Sequence, residues 1–165
     1  MRELEPPEHH HLSAATGWLE LGNVAEARSE LARLAPASQD HPDVLELRWR
    51  IHAEEKDWPA AVTVARKLIE VDPENPGGWI NQSYGLHELR RTPEAWERLL
   101  AVADKFANVS TIPYNLACYA CQMGNLPAAR HWLAKAVQAR GKAEVKQMAL
   151  VDPDLQPLRE EIKRW

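Results

Sequence analysis

The chain of 165 residues contains one phenylalanine and two cysteines. Nowhere does it carry a run of lysine or arginine, a glycine-rich loop or a long apolar stretch. Each shortage removes a class of protein. A net charge of −4 and a pI near 6.0, without a basic stripe, exclude a nucleic-acid binder, which needs clustered cations to meet phosphate. The longest apolar runs fall far short of the ~20 residues that cross a bilayer. Met1 to Glu8 is acidic and has no apolar h-region, so no signal peptide is expected. With two cysteines in such a chain, the expected compartment is a reducing cytoplasm. There is no nucleophile elbow, phosphate-binding loop or paired carboxylates of recognisable spacing, so neither an enzyme nor a cofactor is expected. A chain this long buries a core without disulfides or metal, and is expected to form one compact unit.

What the chain does have is a period. Ala27, Ala61, Ala95 and Ala129 follow one another at intervals of 34 residues, and Pro59, Pro93 and Pro127 keep the same interval two places earlier. Proline is tolerated in the first helical turn, where its missing N–H has no partner to lose. Just upstream lie Asn23, Asp57, Thr92 and Asn125, whose side chains can accept from the open N–H groups of that turn. Leu31, Ala65, Leu99 and Leu133 follow the alanines by four residues, and Leu34, Leu68, Val102 and Ala136 by seven. That spacing is the buried stripe of an amphipathic helix. A second helical pattern precedes each turn, and Gly22, Lys56, Arg90 and Gly124 stand where those helices stop. The unit is helix, turn, helix, four times over.

A helix–turn–helix period of 34 residues resembles the tetratricopeptide repeat (TPR), whose pattern runs W-x2-L-G-x2-Y, A-x3-F, P. The A-x3-hydrophobic step is matched by Ala27/Leu31, Ala95/Leu99 and Ala129/Leu133, the leading tryptophan by Trp79 alone and the closing proline by Pro73. Trp49 stands where that pattern takes a small residue. The resemblance implies an all-α fold, with four antiparallel helix pairs stacked as a right-handed superhelix. The expected boundaries are a flexible lead-in over 1–8, repeats over 9–41, 42–75, 76–109 and 110–141, and a helical cap over 142–165. Helices are predicted over 9–21, 24–35, 43–55, 58–71, 76–89, 93–105, 113–123 and 126–139, with two more over 143–150 and 154–163. Leu150, Leu155, Leu158 and Ile162 are expected to cover the last open face of the stack.

The resemblance also implies that the first helix of each pair lines a concave groove that binds an extended peptide or a helix. By register, the peptide-binding candidates are Arg50, Asn81, Tyr84, His87, Tyr114, Asn115 and Cys118. Asn81 and Asn115 occupy equivalent places in successive units, where the family often holds a peptide backbone. Glu20, Asp43, Glu46, Glu54 and Glu88 face Arg50 in the inferred groove, which argues for a basic or neutral protein segment and against a terminal carboxylate. The function expected is a cytoplasmic, non-enzymatic scaffold. Two alternatives stand beside it. Trp96 and Trp132, if exposed together, would make a homodimer face. Cys118 and Cys121 form a C-x-x-C that could carry metal or redox chemistry, although no second C-x-x-C or H-x3–5-H completes a zinc set.

Overall fold

A computed structural model describes residues 4–165. Ten α-helices follow in order: α1 (Glu8–Glu20), α2 (Val24–Ala32), α3 (Pro42–Glu54), α4 (Trp58–Val71), α5 (Pro76–Glu88), α6 (Thr92–Leu100), α7 (Thr111–Gln122), α8 (Leu126–Arg140), α9 (Lys142–Val151) and α10 (Arg159–Lys163). Two 3-10 segments, Pro36–Ser38 and Pro153–Leu158, complete the regular structure among the described residues. The backbone divides inside α5 into two compact units, one ending at Gly85 and the other spanning Leu86–Trp165. The single unit expected from chain length is therefore corrected. A stack of helix pairs has only neighbour-to-neighbour packing and no common core to enforce one unit.

The four turns are built alike. Gly22, Lys56, Arg90 and Gly124 adopt left-handed φ angles of 75°, 56°, 61° and 76°. The next residue in each case donates its N–H five residues back: Asn23 to Trp18, Asp57 to His52, Arg91 to Leu86 and Asn125 to Ala120, at 2.8–2.9 Å. These bonds are Schellman closures, which satisfy carbonyls that a helix end leaves open. The same residue then starts the second helix of the pair. Its carbonyl accepts from the anchor alanine four places on, and the four alanines are wholly buried. Asn23, Asp57 and Asn125 also cap with their side chains, accepting from Glu26, Ala60 and Ala128. The third turn differs from expectation. Its cap position falls to Arg91, which makes no side-chain cap, and Thr92 is already the first helical residue.

In the first unit, Ala15, Leu19, Ala27, Leu31, Leu34, Val44, Leu47 and Ile51 form one buried cluster, with Leu4 and Leu12 packed on its edge. Of the expected lead-in, residues 1–3 lie outside the described residues, Leu4 sits on this cluster, and α1 begins at Glu8. The α4–α5 contact is close: a Cβ on Gly78 would lie 2.9 Å from Ile69 Cγ1, and one on Gly85 would lie 2.8 Å from Val62 Cγ2. Asn75 accepts from Gly77 at 2.8 Å and opens α5 with Pro76 in its first turn, as predicted.

In the second unit, α6 stops at Leu100 rather than running to 105. Val102 and Ala103 bond three residues back, so the chain tightens into turns while Val102 and Ala103 stay buried. Gly141, at φ 98°, ends α8. Val145 and Ala149 of α9 join Leu155, Leu158 and Ile162 in the buried set, whereas Leu150 is only half-buried.

The left-handed stops give a paired test of stability. Arg90→Gly relieves a side chain held at positive φ and should stabilise by ~1 kcal/mol, whereas Gly124→Ala imposes that strain and should cost ~1 kcal/mol. Urea midpoints moving in opposite directions would bear this out. Parallel shifts would contradict it.

Candidate functional site

The candidate residues divide between the units, and their surroundings differ. In the first unit, α3 and the first part of α5 carry Arg50, Asn81 and Tyr84. Asn81 is buried, and its amide donates to Glu46 Oε2 at 3.0 Å, fixing a carboxylate one helix away. Tyr84 is 39% exposed. Its ring meets two indoles edge-on, with centroids 6.3 Å from Trp49 and 5.6 Å from Trp58. Edge-to-face contacts of this kind hold an aromatic side chain in place before any ligand arrives. Trp49, bulky where the repeat pattern takes a small residue, is half-buried, and its Nε1 is buried without a partner. Glu46, Arg50 and Glu54 recur at four-residue steps along α3 and so share a face. Nearby, Leu12, Ser13 and Thr16 of α1 line a cleft of ≈ 610 Å³ with Asp43 and Asn75.

In the second unit the corresponding face is covered. The 3-10 segment Pro153–Leu158 packs on α7. Asp152 Oδ1 caps that segment by accepting from Asp154 N–H at 2.9 Å. Its other oxygen, Oδ2, accepts from the Tyr114 hydroxyl at 2.9 Å and from the Cys118 thiol at 3.6 Å. Asp154 Oδ2 lies 3.0 Å from His87 Nε2. A carboxylate only accepts, so Nε2 bears the proton, and in the neutral ring Nδ1 accepts from the Thr92 hydroxyl at 2.9 Å. The imidazole also lies against the Tyr119 ring, 5.0 Å between centroids. Gln122 Nε2 donates to the Asp154 carbonyl at 3.0 Å. Thus His87, Tyr114 and Cys118 are engaged by the chain's own tail, and Asn115 is half-buried on α7 beside them. Two of the chain's own carboxylates sit on this face, held by hydroxyl, thiol and imidazole donors.

The two thiols are free and buried. Burial is the largest influence on each and raises its pKa, with Asp152 adding to the rise for Cys118 and Asp154 for Cys121. A thiolate is the nucleophile and the metal ligand, so this environment works against both roles. Among the described residues, one group of donor atoms is close enough to hold a metal ion: Cys118, Asp152 and Asp154, within 4.8 Å of one another. These atoms already serve the hydrogen bonds described above. Trp96 and Trp132, whose joint exposure would favour the homodimer alternative, are half-buried and pack edge-to-face at 6.3 Å, with Lys135 Nζ 4.4 Å above Trp132. Among the described residues, no helix is long and apolar enough to cross a membrane.

No family model matches the chain, and no curated protein matches it. Solved structures do. PilF of Pseudomonas aeruginosa is similar with a TM-score of 0.76 at 20% identity, over 95% of this chain and 69% of that one. MamA from residue 41 onward, from Desulfovibrio magneticus, gives 0.73 at 18% identity, over 98% and 94% of the two chains. A thermophilic TPR protein of Thermus thermophilus gives 0.71 at 14% identity, over 95% of each. Likeness at these identities speaks to fold, and the fold is all-α and TPR-like.

Two measurements probe the tail contact. Asp152→Ala removes a cap and leaves the Tyr114 hydroxyl buried without its acceptor, and should cost ~2–3 kcal/mol; Tyr114→Phe should cost ~1 kcal/mol. The double variant should lose less than the sum, and strict additivity in urea unfolding would count against the bond. The second measurement is pH. Burial raises both the Cys118 thiol above 9.0 and the Tyr114 phenol above 10.0. Between the unfolded and folded values the native chain holds more protons, so stability is whole below pH 9.0 and falls as pH rises beyond it. Cys118→Ala should flatten the first part of that fall in thermal melts.

Proposed function

We propose that this chain is a non-catalytic protein-interaction scaffold, and that its first unit receives a basic or neutral segment of a partner protein. The observation that carries the reading is the Glu46–Arg50–Glu54 face of α3, together with the half-exposed Tyr84 ring that packs on Trp49 of the same helix. Glu20 and Asp43 add to the acidic excess of that unit, and Arg50 is the candidate cation among them. Such a surface favours cationic partners and steers their approach at low salt.

The roles follow from the contacts. Asn81 is a positioning residue, since its amide holds the Glu46 carboxylate. Tyr84 offers flat amphipathic area at small entropic cost, and its indole neighbours keep it from moving on binding. Arg50 supplies a donor for a partner's backbone carbonyl. In the second unit the candidate contacts are His87, Tyr114, Asn115 and Cys118, which a partner would reach once the covering segment Pro153–Leu158 moves. The TPR-like fold supports the scaffold reading by analogy, since rigid helix pairs present side chains in fixed array.

A titration followed by tryptophan fluorescence tests this. A lysine-containing decapeptide should bind, an acidic decapeptide of equal length should not, and added salt should weaken the complex as screening shortens. Tyr84→Ala and the pair Glu46→Gln/Glu54→Gln should each weaken binding about tenfold, ~1.4 kcal/mol. Basic-peptide affinity untouched by either change would overturn the reading.

A further inference from the structure

The tail contact in the second unit has the composition of a recognition site. Pro153–Leu158 is a six-residue 3-10 segment with Pro157 inside it. Runs of that length hold poorly by their own hydrogen bonds. Its shape is therefore imposed by what it touches. Asp152 and Asp154 reach Tyr114, Cys118 and His87, the Asp154 carbonyl reaches Gln122, and Leu155 and Leu158 are wholly buried. Four of these contacts fall on one stripe of α7 and the start of the unit: polar donors at positions 114, 118 and 122, spaced by four, with His87 alongside. None of the donors is a lysine or arginine, and their hydroxyl, thiol, imidazole and amide groups read the geometry of the turn through hydrogen bonds.

We propose that His87, Tyr114, Cys118 and Gln122 form a recognition site for an acidic Asp-Pro-Asp turn, occupied in cis by residues 152–158, which a partner protein displaying the same turn gains by displacing that segment. The site is independent of the basic-segment reading of the first unit, which concerns other residues and the opposite charge. A tethered occupant holds its site at a high effective concentration, so a free competitor is seen only when the tether's own contacts are weakened.

The test uses the full chain carrying Asp152→Asn and Asp154→Asn. Alkylation of Cys118, followed by peptide mass analysis, should proceed at least about tenfold faster than in the unaltered chain, because the segment covering the thiol is loosened. A synthetic nonapeptide with the sequence of residues 150–158 should restore the slow rate, and the same peptide with both aspartates replaced by asparagine should not. Unchanged alkylation overturns the proposal, and so does faster alkylation that the acidic nonapeptide fails to slow. Should the variant lose its helical circular dichroism, hydrogen exchange on the unaltered chain decides. Amides of 154–156 should exchange at least about tenfold faster than those of α8. Equal rates would mean that the segment opens only when the whole unit unfolds, and would end the proposal.

Discussion

Everything in this architecture depends on how closely the two helices of a pair can approach just after they reverse direction. Ala27, Ala61, Ala95 and Ala129 sit at that approach with no exposed surface. Each donates its N–H to the residue that has just closed the preceding helix. A larger side chain there would have to displace a neighbouring helix, and overpacking of that kind costs ~1–3 kcal/mol. The left-handed stop, the closure five residues back and the buried alanine therefore act as one local device. Its repetition at 34-residue intervals sets the length of every helix pair.

Much of this device was legible in the sequence because it is local. A stop residue, a cap, a proline and an alanine fall within eight positions, and each owes its identity to backbone geometry that neighbours in sequence impose. Where register and residue chemistry disagreed, register prevailed. Thr92 is the better capping side chain, yet the cap position belongs to Arg91, in step with Asn23, Asp57 and Asn125. The Thr92 hydroxyl is instead paired with His87. The early end of α6 had no marker at all: neither glycine nor proline follows Leu100, and the apolar stripe continues through Val102. The departure into turns there was not readable from periodicity.

The candidate site was less legible, for a physical reason. Helical register correctly grouped Tyr114 and Cys118 as residues of one face, since α7 alone determines that. What covers the face comes from far along the chain: Asp152 lies 38 residues from Tyr114, and Asp154 lies 67 from His87. No periodicity encodes such pairings. The signal that was present is the Asp152-Pro153-Asp154 triplet in the stretch beyond the fourth repeat, with two leucines following it at Leu155 and Leu158. Similarly, the sequence placed Asn81 on the first-unit face but could not show that its amide is spent on Glu46.

The position of Asp152, 34 residues after Cys118, also orders events at the ribosome. The polar donors of α7 are synthesised well before the carboxylates that satisfy them. A nascent chain can close its α7–α8 hairpin while that stripe is still hydrated, and the stretch that follows α9 expels the water when it docks. Completion of this face thus comes after the α7–α8 hairpin has formed, and a chaperone or a paused ribosome would meet that hairpin with its polar stripe open.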